Sequence, residues 1–487
     1  MHFMHVTTIT VNNAGEITGF DDVDADSITS LTNSGSGTIT GNFDDGVDMD
    51  FGTIINSGTI PGRNGIEADR SNAAGNVNIT NSGTIKSNAG PTGIAIDLQD
   101  AGTDTLTLNA GSVLIGTVNF EDGADDTLNF GQGLSAVVKL GDQEPATTNF
   151  SSPLNFSNAD TRAQADISSM AASGNVLDDV VGGVSGVIHT RMDTAFLPLA
   201  QGDADFSASK TVWTSGWGSY SWINGTSSTA KTTHGAAGGV FGMDWSSPDE
   251  PLYGFYGGAG AGQINVDVAT GHKTETTNYY GGAYGLWNAH AGTYGFDITG
   301  GVINFNSKRM LADNTVATGL ATAQAKYKGW FIAPTLSYSK EQQMGENTLI
   351  SSASVGYQGL FTQGYTESGS NANMSVNARN IHQLTARGEI ALEQEKVLSS
   401  GTVLNFAPFM GAEGRIGVGS NNVTASLLGN TATFNPGGDK AVVRGFVGAK
   451  FTAAMSDTKS LFGKVEGSWS NRNTKNVTGQ IGFAVKF

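Results

Sequence analysis

The sequence predicts an all-β chain: a right-handed parallel β-helix, an α-helical linker, and a 12-stranded antiparallel transmembrane β-barrel. Three observations carry that expectation. A short phrase near the N-terminus recurs every 23–25 residues. One glycine-interrupted stretch after residue 160 has apolar residues at helical spacing. From Thr211 onward the chain divides into about a dozen segments whose apolar residues alternate with polar or small ones.

Composition narrows the class before any motif is considered. Glycine supplies 68 of 487 residues, roughly twice its usual share, whereas proline is scarce at 10. Charged residues are only 14 %, and no stretch approaches the roughly 18–20 consecutive apolar residues of a spanning helix. Cysteine is absent, which excludes a disulfide scaffold, a thiol nucleophile and thiolate zinc sites. Its absence also suits a chain that crosses an oxidising periplasm unfolded. The opening residues, MHFMHVTTIT, show no basic region followed by an apolar run. We therefore expect a chain lacking its start and its secretory signal rather than a cytoplasmic protein. Residues 1–150 hold 20 acidic and 4 basic residues, a balance of −16, while the remainder is nearly neutral at −2. Such an acidic N-terminal third repels nucleic acid, so no nucleic-acid partner is expected.

Residues 1–150 form the first predicted unit, an acidic β-helical passenger portion. NSGSGTI begins at Asn33, and NSGTI at Asn56 and again at Asn81. TDTLTL from Thr103 and DDTLNF from Asp125 make a further pair, with Asp104 and Asp126 22 residues apart. A period of 20–25 with short alternating runs is one coil of a parallel β-helix, whose strands fold only when stacked. Asn and Gly suit its turns because they tolerate left-handed backbone angles. About six coils at about 4.8 Å each give a rod near 30 Å long. A Gly/Asn-rich β-sandwich is the alternative. The acidic clusters Asp22, Asp24, Asp26 and Asp44, Asp45, Asp48, Asp50 invite a calcium reading. An EF-hand loop from Asp22 would need Gly and Glu where Ser27 and Asn33 stand, and the stretch from Asp122 lacks glycine doublets. No metal and no cofactor are expected.

Residues 151–204 form the second unit, a linker and a helix. SSPLNFSNAD reads as plain linker, and Thr161 with Gln164 has capping-box spacing. Ile167, Met170, Leu177, Val181, Val184 and Ile188 then recur at helical intervals up to Pro198. Gly174, Gly182, Gly183 and Gly186 lie inside that pattern, each costing up to about 1 kcal/mol of helix propensity. A helix that must pass through a narrow space explains them; a frayed surface linker is the competing reading.

Residues 205–487 form the third unit. Its predicted strands are roughly 211–222, 234–246, 251–266, 276–289, 292–306, 324–340, 346–363, 376–395, 402–418, 439–454, 459–470 and 475–487. In the last, Val477, Ile481, Phe483, Val485 and Phe487 alternate with Thr478, Gln480, Gly482, Ala484 and Lys486. On the presumed inner faces stand Arg387, Glu389, Arg444, Lys450, Lys464 and Glu466, both signs together, as a hydrated lumen prefers. Apolar-out, polar-in strands of this length mark an outer-membrane barrel, with a soluble sandwich as alternative. Trp213, Trp217, Tyr220 and Trp222, with Tyr279, Tyr280 and Trp287, are expected to form interfacial girdles. A lumen of about twelve strands holds roughly one helix.

The terminal strand VTGQIGFAVKF, the glycine-rich run YYGGAYGLW and the helix segment GVIHTRMD together resemble the type V autotransporters over the whole chain. That resemblance implies a barrel in the outer membrane, a pore-spanning helix built on Ile167, Met170, Leu177, Val181, Val184 and Ile188, and a passenger displayed or released at the cell surface. It also implies that Phe487, with Val485 and Phe483, is the signal read by the outer-membrane barrel assembly machinery. Outer-membrane lipid and a host-cell or surface ligand for the passenger are the other implied partners. One variant of the family cleaves itself in the pore at an Asn-Asn pair, which GGVSGVIHTRMD lacks.

No G-x-S-x-G, HExxH or P-loop motif is present, and none of His2, His5, His189, His234, His272, His290 or His382 has a local triad context. The chain is therefore expected not to be an enzyme, and to act as an adhesin-like displayed protein. The alternative is a carrier for a secreted enzyme whose catalytic domain lies upstream.

Overall fold

A computed structural model describes the chain apart from residues 1, 4–8, 21–22, 26–27, 69–74, 99–101, 121–124, 195–208, 227–228, 248–249, 269–270, 290, 400 and 438–440. Asp22, Asp26, Asp122, His5, His290 and Pro198 lie outside the described residues.

The N-terminal third is a parallel β-solenoid with three faces. Its longest face stacks seven strands, from Ile9–Asn13 through Thr53-containing Gly52–Asn56 to Thr147–Phe150. Val47, Ile54, Ile60, Ile66, Ile79, Ile85 and Leu106 fill the interior. The repeated NSG phrase has a physical cause. Asn13, Asn33, Asn56 and Asn81 are stacked in register at one interior corner. Each side-chain amide donates to the next coil's side-chain oxygen, at 2.9, 2.9 and 2.8 Å. The glycine two residues on is obligatory at Asn56: a Cβ on Gly58 would lie 2.2 Å from the Gly37 carbonyl. Towards the barrel the column changes chemistry, since Asn81 pairs with Leu108, then Phe130 and Phe150, whose rings stack at 5.1 Å. Among the acidic residues, Asp44, Asp45 and Glu67 converge on Arg63 at 2.7–2.9 Å. Burial and the adjoining Asp45 push the Glu67 carboxyl up to about 8.

The C-terminal part is a closed 12-stranded antiparallel barrel: β1 (Ser209–Ile223), β2 (Thr232–Ser247), β3 (Glu250–Val266), β4 (His272–Ala289), β5 (Gly292–Asp313), β6 (Leu320–Met344), β7 (Asn347–Thr362), β8 (Arg379–Val397), β9 (Val403–Gly417), β10 (Ala441–Ser456), β11 (Lys459–Ser470) and β12 (Lys475–Lys486). β12 pairs with β1 from Lys475↔Trp222 to Lys486↔Thr211, which closes the sheet. Connections are short at one end, such as 345–346 and 457–458, and longer at the other, where 363–378 and 418–440 lie. The solenoid stands at the long-loop end.

Two departures from the sequence expectation lie between these units. Thr161–Gln164 is a β-strand, not a helix start; it forms a hairpin with Asn155–Asn158 and pairs with Ala136–Lys139. The Gln164 amide serves the strand, donating to the Gly131 and Leu134 carbonyls at 3.0 Å each. Helix α1 (Ser168–Thr194) starts later, with the Asp166 carboxylate accepting from the Ser168 N–H at 3.1 Å. Ala136–Val137 also pairs in parallel with Ala312–Asp313 of β5, so the solenoid is joined to the barrel by its backbone. A four-stranded sheet from the loops after β7 and β9 covers the mouth. It shares one apolar core with Leu154, Ala163, Ile167 and Met170. Inside it Arg309, 1 % exposed, pairs with Glu367 at 2.6 Å.

Asn56→Ala should remove a shared rung of the asparagine column and leave two buried polar groups short of a partner. We expect the solenoid of the intact chain in detergent to lose about 2–4 kcal/mol, read by circular dichroism in urea. Asn149→Ala, at the exposed rim, should change stability by less than about 0.5 kcal/mol.

Candidate functional site: the occupied barrel lumen

The barrel interior is the candidate site, and α1 occupies it. Alternation decides which residues face it: the odd positions of β1 are buried and the even ones exposed. Trp213 and Trp217, at 1 % and 4 % exposed, therefore point inward, as does Tyr280. This corrects their expected place in the girdles; Tyr220, Trp222, Tyr279 and Trp287 do face outward. The inward aromatic residues form a wall for the helix. The Trp213 indole N–H donates to Tyr284 Oη, and that of Trp217 to Tyr280 Oη, each at 2.8 Å.

Against this wall α1 lays Val176, Leu177, Val180, Val184, Val187 and Ile188. Of the six residues assigned to the pore helix, Leu177, Val181, Val184 and Ile188 lie in this lumenal cluster. Ile167 precedes the helix and Met170 opens it, and both belong to the core at the mouth instead. The glycines divide in the same way. A Cβ on Gly183 would lie 2.3 Å from the Trp217 ring, and one on Gly186 3.2 Å from Gln480. Gly174 and Gly182 face open space, so close approach explains two of the four.

Polar anchors complete the fit. Arg191 makes a two-pronged pair with Asp244 at 2.8 Å for each contact, and Tyr284 Oη donates to the same carboxylate at 2.6 Å. Asp179 accepts from Ser221 at 3.0 Å and Asn476 at 2.9 Å, and contacts His234. His189 pairs with Asp297 at 2.9 Å, and Asp178 meets Arg415. None of these partners was singled out from sequence. Their signal was a charged residue at an inward position of an otherwise small or apolar strand.

The other side of the helix is polar and less closely filled. A cavity of about 140 Å³ separates Gly182 and Ser185 from β7–β12, lined by Arg387, Arg444, Lys464, Glu413 and Glu466. Of the six charges read as lumenal, Arg387, Arg444, Lys464 and Glu466 line it, and Glu389 and Lys450 join them through ion pairs. Arg387 bonds Glu466 at 2.6 Å and Glu389 at 2.9 Å, and Lys464 bonds Glu466 at 3.0 Å. Lys450 joins Glu389 at 2.7 Å to Asp193 of the helix at 2.9 Å, and Arg444 reaches Asp178 at 3.7 Å. Phe446 lies 3.5 Å beneath the Arg387 guanidinium. Phe487 follows β12, its N–H donating to the Lys210 carbonyl at 2.8 Å while its side chain is 75 % exposed. Val485 and Phe483 precede it on the same strand, paired with Val212 and Thr214. Among the described residues no group of three or more His, Asp or Glu is placed to hold a metal ion.

Gly183→Val should push the helix off the Trp217 wall, because that indole is held by Tyr280. Planar-bilayer recordings of the intact chain should then show a several-fold rise in conductance. Gly182→Ala, which meets nothing, should conduct like the parent; equal conductance for Gly183→Val would refute the close fit.

Comparison with known proteins gives this architecture a family. The autotransporter beta-domain model matches residues 212–466. The translocator domain of the autotransporter NalP from Neisseria meningitidis is 14 % identical with TM-score 0.45, covering 63 % of this chain and 98 % of that one. The beta domain of the Bordetella autotransporter BrkA is 14 % identical with TM-score 0.42, covering 57 % and 100 %. The transport unit of AIDA-I from Escherichia coli is 14 % identical with TM-score 0.39, covering 63 % and 98 %. A comparison with curated proteins finds no match. The match at 212–466, more than half of the chain, rests on sequence: the chain belongs to the autotransporter family, and its outer-membrane barrel exports the passenger that precedes it.

Proposed function

We propose that this chain keeps its passenger on the cell surface as an adhesin-like, non-enzymatic solenoid, with α1 left in the pore. The observation behind this is the double attachment of the solenoid. Its base shares a backbone ladder with β5 and an apolar core with the mouth loops. Its tether is held in the lumen by Arg191–Asp244, a buried pair whose breaking costs about 3–5 kcal/mol. A passenger destined for release gains nothing from either attachment. The surface it presents is polar and, over residues 1–150, acidic, which suits a partner surface that carries basic groups.

Added protease on whole cells should remove residues 1–150 while leaving a protected fragment that contains α1 and the barrel. Without protease, the membrane fraction should hold one uncut chain. Recovery of the solenoid in the medium would refute retention.

Phe487 is proposed as an assembly signal, together with Val485 and Phe483, read by the barrel assembly machinery. Its side chain is exposed and contributes little contact, so its removal costs the fold no more than about 1.5–3 kcal/mol. Phe487→Ser should refold in detergent yet fall sharply in outer-membrane level in cells. Normal membrane levels would refute the signal; failure in both assays would make the residue a fold determinant.

A further inference from the structure

The lipid-facing surface of β4–β6 changes from apolar to basic towards the long-loop end. Tyr279, Val302, Trp330 and Phe361 are directly paired across β4–β7 and form one outward row. Trp330 and Phe361 stack at 3.8 Å, and Tyr279 and Trp330 are more than half exposed. Such an aromatic row marks the level where hydrocarbon gives way to headgroups. Towards the long-loop end three rows follow on the same face: Thr277, Asn304, Lys328; then Glu275, Asn306, Lys326; then Lys273, Lys308, Gln324. Rows lie about 7 Å apart, and paired residues about 5 Å apart.

Four lysines thus stand within three strands, all of them exposed, directly above an aromatic row. Glu275 is the one carboxylate in these rows, held by Lys273 at 2.8 Å and by the Asn306 amide at 3.4 Å. Among the described residues, the only other outward strand lysine at this end is Lys475, on β12. At the short-turn end the outward lysines Lys210, Lys340, Lys396 and Lys459 stand on four separate strands. The like-charge pair Lys273↔Lys308 is offset by Glu275 beside Lys273, which leaves Lys308, Lys326 and Lys328 as an excess of positive charge on this face.

We propose that the outward face of β4–β6 above Trp330 is a binding site for the phosphate groups of the anionic glycolipid of the outer leaflet, a lipopolysaccharide-type lipid. The long-loop end faces outward in a bacterial barrel, which places these lysines at the headgroup level of that leaflet. Their stems lie along the sheet and their ammonium groups reach phosphates. The acyl chains then lie against Val302, Trp330 and Phe361 below. The proposal rests on the outer-membrane reading of the barrel and adds to it a specific lipid site.

The test uses the full chain in detergent, titrated with diphosphorylated lipid A, with its dephosphorylated form and with inorganic pyrophosphate, each read by the temperature at which the folded band is lost on a gel. Diphosphorylated lipid A should raise that temperature in the parent, and the other two should not. In K308Q/K326Q/K328Q the apparent affinity should fall at least about tenfold. K210Q/K340Q/K396Q should bind as the parent does. Equal binding of the dephosphorylated lipid would show an apolar contact only and overturn the site, as would an equal effect of pyrophosphate or unchanged affinity in the first variant. Mass spectrometry of lipid retained by the purified parent tests the site without any substitution: retention of phosphorylated glycolipid is expected, and its absence overturns the proposal. A parent without a heat-sensitive folded band would refute the barrel's membrane reading itself; a parent with one but with no lysine dependence refutes the lipid site alone.

Discussion

Every backbone N–H and C=O that meets lipid must find its partner within the protein, and the rest of this molecule follows from that constraint. It is met by joining the last strand to the first, down to the Phe487 N–H on the Lys210 carbonyl. Closure at twelve strands fixes a lumen too wide for wall side chains alone and too narrow for a folded passenger. Closure also enforces strict alternation, so every second residue of each strand must be acceptable to that lumen. The helix is the filling that the geometry leaves room for.

That filling is uneven, and the unevenness is built from the two walls. Against β1–β5 the helix meets indoles and phenols whose polar atoms are already bonded to one another, so apolar contact with Val184 and Ile188 costs those rings no hydrogen bond. Against β7–β12 the wall carries arginine, lysine and glutamate, which pair with one another. The charged residues of α1 sort accordingly. Arg191 is buried with Asp244, whereas Asp178 and Asp193 reach the basic residues on the polar side. An all-apolar lumen would hold the helix with no register. Ion pairs at Asp178, Arg191 and Asp193, with hydrogen bonds at Asp179 and His189, fix both its rotation and its depth, since a shift of one turn breaks them together.

Period-two alternation made all twelve strands legible, because burial on one side only leaves its mark at every second residue. The solenoid was legible for a related reason: each coil must repeat its neighbour's interior, and Asn33, Asn56 and Asn81 repeat because each completes the next one's hydrogen bonding. Reading failed where a local pattern fits two structures. Thr161 and Gln164 have the spacing of a helix cap, but Gln164 is used by the Gly131 and Leu134 carbonyls, distant in sequence. Trp213 and Trp217 looked like interfacial residues because aromatic type was weighed above position. Their odd numbering, shared with Ser215 and Ser219, already placed them inside. The partners of α1 were invisible for a plainer reason. Asp244, Asp297 and His234 lie more than 50 residues from the helix residues that they meet, and no spacing rule spans that distance.

The interior of the solenoid changes along its length, and the change locates its strongest support. Far from the barrel the column is asparagine, whose amides bond the turn of their own coil, as Asn56 does at Gly58, and complete their bonding on the next coil. Near the barrel the same column is Leu108, Phe130 and Phe150, which are stable by burial alone. Asn314, in the loop after β5, then accepts from the Lys139 N–H at 2.8 Å and donates to the Gly116 and Lys139 carbonyls. The barrel thus finishes the last coil as a capping repeat would, with one buried side chain closing three backbone groups. An apolar base on a fixed cap needs no further coil to hold it, whereas each asparagine rung needs the rung beneath. Order in this solenoid is therefore held from the membrane outward.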